Sequence, residues 1–306
     1  MTSKGRMTRP PDIDAVQAAF AREGYVADRD LATSVFLALA LGRPLLLEGE
    51  AGVGKTEVAR TLSAVLGAEL IRLQCYEGLD ASTALYEWDY PRQMLEIRLL
   101  EARGEARSAV TRDIFGAEFL IRRPLLRALE SRASEPPVLL IDEVDRADEE
   151  FEAFLLEILS DFAVSIPEIG TIRADRPPRV ILTSNRTREV HDALKRRCLY
   201  HWIDYPTPER ELAILRARLP HVPETLAREI VEFVQRLRRA DLTKSPGVAE
   251  TLDWAAALVA LGAGQLDAAQ VERTLGVLLK YQEDLGGMRA GGARGILEEA
   301  RATARG

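Results

Sequence analysis

Leu45-Leu46-Leu47-Glu48-Gly49-Glu50-Ala51-Gly52-Val53-Gly54-Lys55-Thr56 is the stretch on which the reading of the whole chain turns. Three leucines behind Pro44 predict a short buried strand. The chain then turns through three glycines and enters a helix at Lys55. This spacing is the G-x-x-x-x-G-K-[ST] pattern of a phosphate-binding loop, and the chemistry asks for these residue types. Gly49, Gly52 and Gly54 can take backbone conformations closed to other residues, so successive N–H groups turn inward around phosphate oxygens. The helix that follows adds its positive end. Lys55 is placed to reach the β- and γ-phosphates, and Thr56 to bind Mg²⁺ through its hydroxyl. Glu50, Ala51 and Val53 belong to the same loop and Glu57 follows it. Val26, in the Tyr25–Ala27 segment ahead of the loop, completes the expected nucleotide contacts. Chance produces the pattern in roughly one chain in a hundred of this length. A strand before and a helix after make a glycine-rich turn that binds nothing the poorer account. The implied ligand is a nucleoside triphosphate.

The bulk numbers fit that ligand and exclude others. At 306 residues the chain suits one large domain or two ordinary ones. A hydrophobic share of 47% with 29% charged residues describes a soluble globular protein. The net charge of −7 argues against nucleic-acid or membrane binding through a broad basic face. Cys75 and Cys198 give no disulfide framework, which suits a reducing compartment. His191, His201 and His221 lack metal-ligand spacing. Met1 to Asp14 has no apolar centre for a signal segment, and Val35 to Leu41 is too short to span a bilayer. The expectation is a cytoplasmic protein without a membrane span.

Helical spacing predicts short helices over Asp12–Arg22 and from about Asp30 to Gly42, then the loop's own helix through Val58, Leu62 and Leu66. Glu69 to Gln74 alternates as a strand. Tyr76 to Tyr90 reads as an aromatic loop packed on the core, with helices over Arg92–Ala106 and Pro124–Ala133 and an irregular stretch, Asp113–Ile121, between them. Val138-Leu139-Leu140-Ile141 has the unbroken apolar run of a strand buried on both faces, as in a parallel sheet. A helix over Glu149–Leu159, a hairpin over Ala163–Ile172, a strand over Arg179–Asn185, a helix over Val190–Arg197 and a strand over Leu199–Ile203 follow. Past Tyr205-Pro206-Thr207-Pro208 the β signal stops and helical patterns cover Glu209–Arg218, Pro223–Arg239, Val248–Leu261 and Ala268–Tyr281. The glycine-rich Gly286–Gly292 reads as a mobile tail, with a last short helix near Ile296. Strands alternating with helices, then helices alone, predict an α/β domain over residues 1–205 and a small all-helical domain over 206–306.

Two acids, Asp142 and Glu143, close the strand begun at Val138. In open α/β sheets ligands bind at the carboxyl ends of the strands. Asp142 suits a Mg²⁺ ligand and Glu143 a general base that polarises an attacking water; a pair of solvated acids is the alternative. Asn185 ends the next strand, where a neutral amide can orient that water or touch the γ-phosphate. Arg196 and Arg197 end a helix, and Arg196 is slightly preferred as a guanidinium offered to a neighbouring subunit's γ-phosphate; a solvated or DNA-facing basic run with Lys195 is the alternative.

Taken together, the Gly49–Thr56 loop, the Val138–Glu143 strand, Asn185 and Arg196 resemble an AAA+ ATPase over residues 25 to about 260. That resemblance implies a P-loop NTPase parallel sheet with flanking helices, followed by a helical lid, with ATP and Mg²⁺ as cofactors. The polar stretch Val144-Asp145-Arg146-Ala147, the helix after it and the Ala163–Ile172 hairpin are similar to the MoxR branch. Gln74–Asp80, Tyr86–Trp88 and Leu194–Trp202 are similar to the D-type accessory ATPases of aerobic carbon monoxide dehydrogenase clusters. This implies a homo-oligomeric ring, a hexamer, a partner with a von Willebrand factor A domain, and a molybdenum hydroxylase as client. One departure stands out: where many MoxR relatives place an arginine after Ser-Pro as a second nucleotide sensor, Lys244-Ser245-Pro246-Gly247 has glycine, so either Lys244 substitutes or the lid senses nucleotide differently. The function expected is ATP hydrolysis coupled to remodelling or maturation of a protein client. A P-loop small-molecule kinase and a nucleotide-gated binding module of negligible turnover are the alternatives. A GTPase is less favoured, since Asn185-Arg186-Thr187-Arg188 is no guanine-reading Asn-Lys-x-Asp run.

Overall fold

Val138–Asp142 is buried at all five positions. A strand hidden on both faces belongs in the interior of a sheet with helices on either side, and the computed structural model places it there, between two neighbouring strands. The structure describes residues 10–102, 115–167 and 169–304. Its strands are β1 (Leu45–Gly49), β2 (Leu70–Gln74), β3 (Tyr86–Trp88), β4 (Leu120–Arg122), β5 (Val138–Asp142), β6 (Ala163–Ile166), β7 (Gly170–Arg173), β8 (Arg179–Ser184) and β9 (Leu199–Ile203). Five of them form one sheet in the order β2-β5-β8-β1-β9. The β2–β5, β5–β8 and β8–β1 pairings are parallel, so Gln74 lies opposite Asp142, Ile141 opposite Leu182 and Glu48 opposite Ser184. That register gathers the polar ends of four strands along one edge of the sheet. β6 and β7 form the expected hairpin, Ala163 opposite Arg173.

The chain divides into two compact units. One takes in the residues up to Val16, Arg29–Glu48 and Ala59–Trp202; the other has Gln17–Asp28, Gly49–Val58 and everything from Ile203 on. The core of the first joins Leu46, Leu139, Ile141 and Leu182 of the sheet to Leu125, Leu126, Phe151 and Leu155 from helices. The second has its own core. The helix Glu224–Leu237 sends Leu226, Ile230, Phe233, Val234 and Leu237 inward, a stripe at helical spacing. They meet Trp254, Leu275 and Leu297, and the Trp254 indole N–H donates to Thr274 Oγ1 at 2.8 Å. Beyond β9 the described residues contain no strand.

Four expectations are corrected. Tyr76–Tyr90 is not only loop: a five-residue helix, Ala81–Leu85, N-capped by Asp80, leads into β3. β3 pairs with β4, Tyr86 opposite Arg122, and β4 begins at Leu120 within the end of the Asp113–Ile121 stretch read as irregular. The pairing hides Tyr86 and Trp88 against the core, while Tyr76 and Tyr90 stay exposed. The helix from Pro124 stops at Leu129, four residues early. The glycine-rich tail is helical. Gln282–Gly287, a wide turn whose Gly291 has φ +120°, and the twelve-residue helix Ala293–Ala304 follow in sequence. Ala293, Leu297 and Ala300 anchor that helix in the second core. The helix expected over Arg92–Ala106 spans Tyr90–Ala102, and its remaining positions lie outside the described residues, as do residues 1–9.

Candidate active site

At the edge where β5 and β8 end, Asp142 is 2% exposed. A buried carboxylate needs charge or donors around it. Arg72, on β2, gives Asp142 Oδ2 its Nε at 3.0 Å and a terminal nitrogen at 2.5 Å, and the Thr183 hydroxyl gives Oδ1 a bond at 2.5 Å. Glu143 leaves the strand in the left-handed region, φ 56° and ψ 51°. Its N–H donates to Thr183 Oγ1 at 2.9 Å. A non-glycine residue held this way is uncommon and is a form of stored backbone strain. The turn aims its carboxylate at Gln74 Nε2, 3.0 Å from Oε2, and at Asn185 Nδ2, 3.4 Å from Oε1, with Arg146 at 3.3 Å. Asp142, Glu143 and Asn185 are thus brought together, with Gln74 as a fourth member.

Asp145, 2% exposed, builds the turn that carries Asn185. It accepts from the Asn185 N–H at 3.2 Å, the Thr187 N–H at 2.8 Å and the Thr187 hydroxyl at 2.7 Å. Gln74 and Asp145 are the two site residues that sequence reasoning missed. Their signals were position: Gln74 ends the strand beside Asp142, and Asp145 follows the acid pair by two residues. Cys75 lies behind the cluster, and its thiol is pushed up to about 12, first by burial and then by Asp142, Asp145 and Glu143. Such a thiol stays protonated and inert.

Arg196 and Arg197 do not touch this cluster. Both are exposed at the end of the helix Asp192–Arg197. Arg197 Nε donates to Ser160 Oγ at 2.7 Å, whereas the Arg196 side chain has no hydrogen bond among the described residues. Arg43 caps the helix, reaching the carbonyls of Arg196 at 2.8 Å and of Arg197 and Cys198 at 3.3 Å.

The phosphate loop belongs to the other unit. Gly49 has φ +153°, and a Cβ there would stand 2.1 Å from the Ile203 carbonyl oxygen, so only glycine fits. Gly52 and Gly54 also have positive φ, +77° and +96°. Lys55 and Thr56 open the helix Lys55–Leu66. Lys55 is 6% exposed, and its ammonium donates to the carbonyls of Gly49 at 2.8 Å and Glu50 at 2.6 Å, folding over the loop. Ala51 is half-buried, Val53 buried and Glu50 exposed. The carboxylate of Glu57 pairs with Arg218 at 2.8 Å. The Val26 carbonyl accepts from Arg210 Nε at 3.2 Å and a terminal nitrogen at 3.1 Å, and Arg210 also pairs with Asp28. Tyr25 packs beside Gly54 and Phe20, its phenol held well above the usual range by burial first.

Among the described residues no group of three or more His, Cys, Asp or Glu is arranged to hold a metal by itself, and no helix is long and apolar enough to cross a membrane.

An uncharacterised protein of Staphylococcus epidermidis is 25% identical to this chain over 217 residues, covering 69% of the chain and 73% of its own length. One of Staphylococcus haemolyticus is 23% identical over 205 residues, covering 65% and 69%. Among solved structures, the chain is similar to the Thermotoga maritima RuvB Holliday junction branch migration motor. That likeness has 17% identity and a TM-score of 0.46 over 91% of this chain and 75% of the other. The family described as the AAA domain, dynein-related subfamily, matches residues 44–198. That span is about half of the 306 residues and runs from the first strand through the arginine pair, and the chain belongs to that family, an AAA+ P-loop NTPase fold with helices at its C-terminal end.

Proposed function

We propose that the chain is an ATPase whose hydrolysis of ATP drives remodelling of a protein client. The observation that carries this reading is the placing of Glu143. Its carboxylate stands at the end of β5 beside buried Asp142, oriented by Asn185 and Gln74. A structural acid has no use for a strained turn and two neutral amide donors, whereas a base that must hold a water in line has. Lys55 and the loop amides grip the phosphates of ATP. The Thr56 hydroxyl and Asp142 carboxylate are hard oxygen donors, the type Mg²⁺ takes when phosphates and water complete its shell. Held by such donors, Mg²⁺ would neutralise charge on the phosphates.

Residues 1–205 form the ATPase body and 206–306 a lid. The protein works in the cytoplasm as a homo-oligomeric ring, a hexamer, in which Arg196 of one subunit serves the ATP of its neighbour. Its free, exposed guanidinium supports Arg196 over Arg197, which is tied to Ser160. The segments similar to the MoxR branch support a partner with a von Willebrand factor A domain and a molybdenum hydroxylase, such as carbon monoxide dehydrogenase, as client.

Glu143→Gln tests the core of this reading. Turnover is expected to fall by about 10²–10⁴ while ATP still binds. Retained hydrolysis refutes the role of Glu143. Native mass measurement with and without ATP tests the ring.

A further inference from the structure

Gly247 stands just before the helix Val248–Ala260 with φ −81° and ψ −177°, extended geometry that any residue adopts. Local conformation therefore does not call for glycine. Its neighbour does. A Cβ at Gly247 would lie 2.7 Å from the Ala51 carbonyl oxygen and 2.9 Å from the Gly52 Cα, inside the contact distance of non-bonded atoms. From the other side, a Cβ at Gly52 would lie 3.3 Å from the Gly247 Cα. Two backbones meet here, and the Ala249 N–H donates to the Gly52 carbonyl at 3.1 Å. Because C=O and N–H of a trans peptide point opposite ways, this bond also fixes the Val53 N–H, turning it away from the helix.

The turn that delivers Gly247 is held by buried charge. Arg238 Nε donates to the Pro246 carbonyl at 2.8 Å, and its terminal nitrogens donate to both Glu211 oxygens at 2.7 and 2.6 Å. The side chains of Arg238 and Glu211 are 7% and 1% exposed. The Thr251 hydroxyl bridges Glu211 Oε1 at 2.8 Å and the Gly247 carbonyl at 3.1 Å, and Glu250 Oε2 accepts the Gly247 N–H at 3.0 Å. Burying an ion pair rarely stabilises more than an apolar replacement would. Fixing one turn against the loop is a use that such a pair serves well.

We propose that the Pro246–Ala249 turn is a backbone clamp on the phosphate loop. Gly247 and the Ala249 amide are positioning groups for nucleotide binding, and the lid senses bound phosphate through the loop's conformation instead of through a cationic side chain. By reciprocity, whatever nucleotide does to the clamp, the clamp does to nucleotide affinity. The proposal rests on ATP being the ligand of the loop.

Titration of the full chain with fluorescent ATP and ADP analogues, beside its Gly247→Ala and Gly247→Arg forms, tests it. Gly247→Ala is expected to weaken both nucleotides by about tenfold or more. Its melting temperature without nucleotide should stay within about 2 °C, and the rise in melting temperature that nucleotide causes should shrink. Gly247→Arg should bind more weakly still. Unchanged affinity in Gly247→Ala overturns the clamp. So does a Gly247→Arg chain that binds more tightly than the unaltered one, since that marks an ordinary sensor position lacking its arginine. If the unaltered chain binds neither analogue, the ATP reading falls and the clamp with it. Should Gly247→Ala melt further down, Ala249→Pro decides. Proline is tolerated in a first helical turn and removes the N–H that bonds the Gly52 carbonyl, so weakened binding supports the clamp and unchanged binding overturns it.

Discussion

At the ends of β5 and β8 the acidic groups are held by other side chains: Arg72 and Thr183 on Asp142, and Gln74, Asn185 and Arg146 on Glu143. The phosphate loop is held mostly by backbone: the Ile203 carbonyl against Gly49, Gly247 against Gly52, and the Ala249 N–H on the Gly52 carbonyl. The means differ in how they fail. Several half-exposed donors on one carboxylate share its position, so losing one leaves the others. Two backbones in contact have no spare, and the charged pair behind their turn is buried with nothing to replace either half. The first region should show graded effects of substitution and the second abrupt ones.

Breaking the buried pair is the severest test. Glu211→Leu leaves the Arg238 guanidinium unpaired, and Thr251 loses an acceptor. A loss of about 3–5 kcal/mol in stability is expected, read as the shift in the urea midpoint. Adding Arg238→Met should recover most of it, because an apolar pair of similar size carries no desolvation penalty. If Glu211→Leu alone costs under about 1 kcal/mol, the range of a single ordinary hydrogen bond, the region is not abrupt and the contrast fails. At the sheet end, Gln74→Ala removes one of the donors on Glu143. Turnover is expected to drop about tenfold with nucleotide affinity unchanged, as steady-state kinetics beside a binding titration will show. A fall as deep as that of Glu143→Gln would mean that the donors are not redundant.

These differences also sort what the sequence could reveal. The loop, β5 and β8 were legible because each is a continuous apolar run ending in polar residues, a local signal of strand and ligand edge. The helices beyond Tyr205 were legible for a similar reason, as in the inward stripe from Leu226 to Leu237. β3 and β4 were not. Each has three residues, and pairing Tyr86 with Arg122 brings together positions 36 apart along the chain, which no local pattern announces. The last helix was legible near Ile296, but its twelve-residue length and the helical turns before it were not, because the glycines of Gly286–Gly292 outweighed Ala293, Leu297 and Ala300, whose spacing marks one face. In the site, residue type pointed to Asp142, Glu143 and Asn185. Gln74 and Asp145 act through register and a turn, which no local pattern encodes. Gly247 was visible as a departure, but its reason lies in a contact 195 positions away along the chain, at Gly52.

The mildest test concerns Cys75, fully buried under the acidic cluster with its N–H on the Asp142 carbonyl at 2.9 Å. If the sheet end works through shared polar contacts, a thiol behind it should contribute packing and nothing else. Cys75→Ala is expected to change turnover within about twofold and to cost about 1 kcal/mol of stability from the small cavity. The pH dependence follows from the thiol's shift, from an ordinary value of 9.0 up to about 12. Folding holds the proton more tightly than the unfolded chain does, so the stabilisation is complete below about pH 9 and is lost as pH climbs toward about 12. At pH 8 native Cys75 should therefore resist iodoacetamide and react promptly once the chain is unfolded in urea, as mass spectrometry of the peptide will record. Prompt labelling of the native chain would show that the strand end opens readily, and Glu143, the residue after Asp142 to whose carbonyl the Cys75 N–H is bonded, could not then owe its placing to a rigid edge.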